Sequence, residues 1–313
     1  MRVLILGAGA LGGYFGGRLA QAGADVTFLV RPARAKALAE AGLRIVSPFG
    51  DAAFPVRTIT AEALRPGYDI ALLTAKAHDL DDAISALRPA IDGHMAVLPV
   101  LNGLSHIETL QTAFGAGNVL GGLAKIQATL RPDGAVQQIN DWRWLTFGEL
   151  DGSMSPRVKT LAAAFAPAIG VVAEAVPDIR QRMWEKMVHL GTSAVCTVLL
   201  RAAVGEIARA EGGVDFMQGV LRANAAIAAA NGHPMPDAFM AQYLAMFSEK
   251  DSLYATSMLR DIEGGRRCEG EHILGHLATA AARAGIASAP HDMALLHARA
   301  YENRRVANRL PVG

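Results

Sequence analysis

Gly7, Gly9 and Gly12 stand at the G-x-G-x-x-G spacing, a pattern suited to holding an anion. The uncharged apolar run ending at Leu6 reads as a strand buried on both faces, and Tyr14-Phe-Gly-Gly-Arg-Leu-Ala20 continues with helical character. Each glycine then has a mechanical task. Gly7 allows the tight turn, Gly9 lets a pyrophosphate approach the backbone, and Gly12 lets the helix pack closely on the strand. With Ala8, Ala10 and Leu11 they form a strand-to-helix turn whose N–H groups face an anion. A glycine turn with no ligand is the plainer alternative. The position between a strand and a helix favours a dinucleotide.

The second strand, Asp25-Val-Thr-Phe-Leu-Val30, ends where this kind of fold meets the adenosine ribose. An acidic side chain there would favour NAD. The chain instead has Arg31, followed by Pro32 and Arg34, and a guanidinium fork suits the 2′-phosphate of NADP. A solvated basic loop is the alternative.

Other polar residues stand at places where chemistry is plausible, each with a plainer reading beside it. Lys76 and Asn102 follow the apolar runs Asp69–Thr74 and Met95–Val100, at the strand ends where open α/β sheets bind ligands. A solvated lysine and a turn residue ahead of Gly103 explain them equally well. Lys186 is a charge at the threshold of an apolar stretch that carries none until Arg201. Ser257 and Glu269 offer a hydroxyl and a carboxylate, where a helix cap and solvated charges would also serve.

The elements that must position these groups change character once. Up to about residue 178, short β-rich runs alternate with helical stretches, which predicts βαβ units and a mainly parallel sheet. Arg131-Pro-Asp-Gly134 marks a turn, so Lys125 to Glu149 is expected to be an antiparallel pair at the sheet edge. Beyond Pro177, Ala/Leu/Met-rich segments at 180–211, 213–231, 236–249, 267–284 and 290–306 predict helices. The expected architecture is α/β: a Rossmann dinucleotide-binding domain over 1–178 and an all-helical domain over 179–313.

Composition agrees with this. With 30 Lys and Arg against 29 Asp and Glu, the chain lacks the basic excess of a nucleic-acid binder. Its 2 cysteines, Cys196 and Cys268, make neither a disulfide framework nor a metal-ligand cluster, so no metal is expected and a reducing cytoplasm is. The N-terminus reads as strand, with no signal peptide expected, and the uncharged run Met187–Leu200 is too short to span a bilayer.

The chain resembles the ketopantoate reductase family (2-dehydropantoate 2-reductases) over nearly its whole length. The matching stretches are Gly7–Gly12, Lys76-Ala77, Asn102-Gly103, Trp184-Glu-Lys186, Ser257-Met-Leu259 and Glu269, in that order. The resemblance implies NADPH as cofactor and reduction of a small 2-oxo acid in pantothenate biosynthesis. It gives the catalytic role to Lys186, with Glu269 beside it. It places Lys76, Asn102 and Glu269, with the backbone near Ala128, at the cofactor. It places Asn102, Lys186 and Ser257 at the substrate, and assigns substrate binding and dimerisation to the helical half. A lysine ammonium can stabilise the oxyanion and supply the proton when a ketone is reduced.

This chain also departs from the family. The asparagines that follow the family's lysine by one and two helical turns are here Leu190 and Ala194, expected on the substrate-facing side, and Gly270 follows Glu269 in place of an apolar β-branched residue. A reductase of a more apolar 2-oxo acid or an imine is therefore a second reading, and an NADPH-binding regulator without catalysis a third.

Overall fold

β1 (Arg2–Leu6) lies at the middle of a parallel sheet, and Val3 to Leu6 are all buried, as a strand covered on both faces requires. The computed structural model describes residues 1–310. It divides into two compact units, one of Met1–Leu101 with His106–Arg180, the other of Asn102–Ser105 with the chain from Gln181 on.

The first unit begins β1, α1 (Ala10–Gln21), β2 (Asp25–Leu29), α2 (Pro32–Ala41), β3 (Leu43–Val46), β4 (Ala52–Phe54) and β5 (Arg57–Ile59). It continues β6 (Ile70–Leu73), α3 (Leu80–Leu87), β7 (Ala96–Pro99) and α4 (His106–Phe114). It ends with β8 (Leu120–Leu130), β9 (Val136–Glu149), α5 (Pro156–Phe165) and β10 (Val172–Ala175). The first sheet has the order β5-β2-β1-β6-β7, parallel throughout. Strand order therefore reverses between β1 and β6, and the crevice beyond their C-terminal ends is where open α/β sheets bind ligands.

The second sheet runs β10-β9-β3-β4, with β8 antiparallel to β9. The turn at Arg131–Gly134 forms as expected, closed by the Gly134 N–H on the Arg131 carbonyl at 2.9 Å. Among the described strands β8 pairs with β9 alone, so the antiparallel pair lies at the sheet edge with β8 as its outer strand. β9 pairs with β8 along one side and with both β3 and β10 along the other. Strands β3, β4, β5 and β10 carry no clear pattern in the sequence, since each is three or four residues long and is defined by partners distant in the chain.

The second unit is helical. It contains α6 (Ile179–Leu200), α7 (Val204–Arg209), α8 (Gly213–Ala230), α9 (Asp237–Met246) and α10 (Ser257–Glu263). A π-helical turn at Glu271–Gly275 leads into α11 (His276–Arg283), and α12 (Ala289–Val306) follows. The helix expected over 180–211 is split at Arg201, which adopts φ 52 and whose Nε donates to Glu263 at 2.6 Å. A fully buried polar chain crosses this core. His291 Nε2 meets Asn224 Oδ1 at 2.7 Å, Asn224 Nδ2 donates to Thr192 Oγ1 at 2.9 Å, and Thr192 donates to the Val188 carbonyl at 2.7 Å. Each member is satisfied, which is what buried polar groups require. Among the described residues, no helix is long and apolar enough to cross a membrane.

Candidate active site

In the first unit the glycine turn is built around two contacts. Gly7 sits at φ +91, a conformation that side chains disfavour, and its N–H donates to the Leu29 carbonyl at 2.9 Å. Gly12 is where helix meets strand. A methyl group there would strike the Gly7 carbonyl oxygen and lie 2.6 Å from Thr74 Oγ1. Thr74 in turn donates to the Leu6 carbonyl at 2.9 Å, tying the end of β6 to the end of β1. Gly9, the N-cap of α1, is different. A Cβ on Gly9 would meet nothing within 4 Å, so the space in front of the helix N-terminus is open.

Three other predicted positions belong to this unit. Lys76 is exposed and lies two residues past Thr74, on the same sheet end as the glycine turn. Arg31 is the exposed N-cap of α2, its guanidinium 3.9 Å from the equally exposed Asp82 carboxylate, a pair that solvent screens strongly. Ala128 pairs with Gln138 directly after a register shift in which residues 139–142 of β9 stand against the single residue Gln127 of β8, so that β9 is the bulged strand, a device that re-aims a strand locally. Arg34 has a different task from Arg31. Its Nη2 donates to the Ala8 carbonyl at 3.0 Å and to the Gly134 carbonyl at 3.1 Å, fastening the glycine turn to the β8–β9 hairpin.

In the second unit Lys186 stands two turns into α6, not at its start, so the helix dipole has little hold on it. Burial pulls its pKa down to about 8, and the Glu269 carboxylate opposes that shift. Trp184, two residues earlier, stacks on His233 with ring centres 5.7 Å apart and tilts against His276 at 6.0 Å. These contacts fix the rotation of α6 around Lys186. Glu269 is held through its neighbours: the Cys268 N–H donates to Glu302 at 2.8 Å, and the Ile273 N–H reaches the Glu269 carbonyl at 3.1 Å. Gly270 has a structural cause, because a Cβ there would come 2.7 Å from Ala298 Cβ on α12.

Asn102 joins this unit, since the segment Asn102–Ser105 packs with the helices. Ser257 is exposed in the first turn of α10, whose N-cap is Thr256. Thr256 Oγ1 accepts the Leu259 N–H at 3.1 Å and lies 2.9 Å from Thr197 Oγ1, so the start of α10 is pinned to α6. Leu190 is half-buried against the helical core, whereas Ala194 is fully buried within it. The expectation that both face a substrate is corrected for Ala194. Thr192 is buried too, and His189 stacks on Tyr243 at 4.5 Å and on Tyr254 at 5.7 Å.

Residues 3–152 match the family model described as ketopantoate reductase PanE/ApbA, and residues 178–302 match its C-terminal counterpart. The chain belongs to the ketopantoate reductase family. It is 32% identical to the uncharacterized oxidoreductase YkpB of Bacillus subtilis over 96% of this chain and 99% of that protein. It is 30% identical to a 2-dehydropantoate 2-reductase of Archaeoglobus fulgidus over 96% of this chain and 98% of that one. The crystal structure of 2-dehydropantoate 2-reductase from Methylococcus capsulatus superimposes with TM-score 0.87 at 30% identity, covering 97% of this chain and 98% of that one. The protein is thus an oxidoreductase of this family, with its Rossmann sheet followed by a helical C-terminal part.

Residue spacing pointed to neither Thr74 nor His272. Thr74 is the last residue of the run from Asp69, and only the parallel pairing of β6 with β1 brings it beside Gly12. His272 lies in the segment after Glu269 and meets Ser105, its Nδ1 at 2.7 Å from the serine hydroxyl.

Proposed function

We propose that this chain reduces 2-dehydropantoate to pantoate with NADPH, and that Lys186 is the proton donor. The observation that carries the proposal is the pairing of a buried lysine, its pKa lowered to about 8, with the Glu269 carboxylate. A lysine so tuned keeps its proton at neutral pH yet releases it more readily than an exposed one.

The open space before Gly9 suits a pyrophosphate, because a backbone without Cβ lets the anion reach the N–H groups of the turn. Residues 7–12 would hold that group. Arg31 would hold the 2′-phosphate in exchange for its weak, exposed contact with Asp82. Lys76, Asn102, Glu269 and the backbone near Ala128 would complete the cofactor contacts. NADPH, when bound, supplies the hydride.

The remaining work belongs to the chain. The Lys186 ammonium stabilises charge on the ketone oxygen and gives that oxygen its proton. Glu269 keeps the ammonium protonated and oriented. Asn102 and Ser257 offer neutral donors suited to a carboxylate or carbonyl oxygen.

Leu190 favours a second reading, reduction of a 2-oxo acid with a plain branched alkyl group. An apolar wall discriminates between substrates by only a few kcal/mol, so it would accept both. Steady-state NADPH oxidation with 2-dehydropantoate and with alkyl 2-oxo acids separates the readings. Absence of turnover with every 2-oxo acid would refute both.

A further inference from the structure

The segment Asn102–Ser105 begins two residues after the end of β7, past Val100 and Leu101, yet it belongs to the helical unit. Leu104 packs against the helical core, and three contacts from its neighbours converge on His272. Ser105 Oγ lies 2.7 Å from His272 Nδ1. The His272 ring also hydrogen-bonds the backbone of Asn102. Gly103, at φ +84, passes so near that a Cβ would come 2.9 Å from His272 Cδ2. Glu269 stands three residues before His272 in the chain, and its charge acts on both His272 and Lys186.

We propose that His272 is a positioning residue for the oxo-acid site, clamping the Asn102–Ser105 loop to the turn that follows Glu269 and so holding Asn102 in register with Lys186. This rests on the reductase reading above. The ring suits the task. Burial keeps it neutral more than Glu269 charges it, so it has one N–H and one lone pair to use. With Nδ1 facing the Ser105 hydroxyl, Nε2 is left to donate to the Asn102 carbonyl, and Nδ1 accepts from the hydroxyl. Both nitrogens are used and the ring cannot rotate without losing both bonds. Without the clamp the loop keeps its Leu104 anchor but loses the contacts that fix the residues either side of it.

The test compares His272→Phe, Ser105→Ala, their combination and His272→Gln by two readouts. One is amide hydrogen exchange of residues 102–105. The other is the division between KM for 2-dehydropantoate and kcat at saturation. His272→Phe keeps the ring's bulk and removes both polar atoms. It should speed exchange of the loop about tenfold and raise KM by about ten- to a hundredfold, the scale of an ångström misplacement, with kcat changed less than about threefold. Ser105→Ala should give part of this, the double variant no more than His272→Phe, and His272→Gln should recover most of it through its side-chain N–H. Unchanged exchange in His272→Phe, or faster exchange with KM unmoved, overturns the proposal. If the unmutated protein reduces no 2-oxo acid, the reductase reading fails separately, and unchanged loop exchange still sinks the clamp.

Discussion

Glu269 raises the basicity of a lysine that burial depresses: the two effects meet at Lys186 and leave its pKa at about 8. The balance predicts the pH profile. A proton donor acts only when protonated, so kcat should fall as pH rises through about 8. Glu269→Gln removes the opposing charge, so the lysine pKa drops further and the basic limb moves to lower pH. A basic limb that stays in place in Glu269→Gln would show that the carboxylate does not act on the titrating group.

Lys186→Ala should lower kcat by about two to four orders of magnitude, the range of a positioned general acid. NADPH affinity, read by fluorescence titration, should change little, because Lys186 lies on α6 and the glycine turn belongs to the other unit. A folded variant with near-normal kcat would make Lys186 a structural residue.

Gly9 and Gly12 should answer differently to the same methyl group. Gly9→Ala meets open space, so Tm should hold while NADPH affinity drops. Gly12→Ala meets the Gly7 carbonyl and Thr74, and overpacking of this kind costs about 1–3 kcal/mol, visible as a lowered Tm. Equal effects on Tm would contradict the assignment of the open space before Gly9 to a ligand.

Arg31 should set cofactor choice. NADPH should be preferred over NADH by about 1–3 kcal/mol in kcat/KM, roughly a charge-assisted contact, and Arg31→Ala should remove most of that preference. Arg34→Ala should act otherwise, loosening the glycine turn for both cofactors, because it holds Ala8 and Gly134. Equal kcat/KM for the two cofactors in the unmutated protein defeats the first expectation.

The helix after Lys186 gives a test of substrate. Leu190→Asn adds an amide at a half-buried position and should improve kcat/KM for 2-dehydropantoate over an alkyl 2-oxo acid. Ala194→Asn instead buries an amide in the helical core, where an unpaired group costs about 1–3 kcal/mol. It should lower Tm without helping turnover. A gain in kcat/KM from Ala194→Asn would mean that its side chain reaches the substrate after all.

Much of the first unit was legible because its signals are local. The run ending at Leu6, the glycines at fixed offsets and the turn at Arg131–Gly134 each act over a few residues. Strands of three or four residues, such as Ala52–Phe54 and Arg57–Ile59, were not legible, since partners far along the chain decide them. The break at Arg201 has a related cause. A left-handed arginine is stabilised there by Glu263, which lies far along the chain.

The sequence by itself determined the strand–turn–helix that faces an anion, the change from alternating to helical chain near residue 178, and the residue types available for chemistry. Spacing along one element settles these. Only the tertiary structure decided which of those residues meet. It turned Ala194 into the core, set Arg34 on the glycine turn instead of leaving it free, and brought the Asn102–Ser105 loop to His272 near Glu269 and Lys186. Such neighbourhoods follow from how helices pack on one another, which no local pattern encodes.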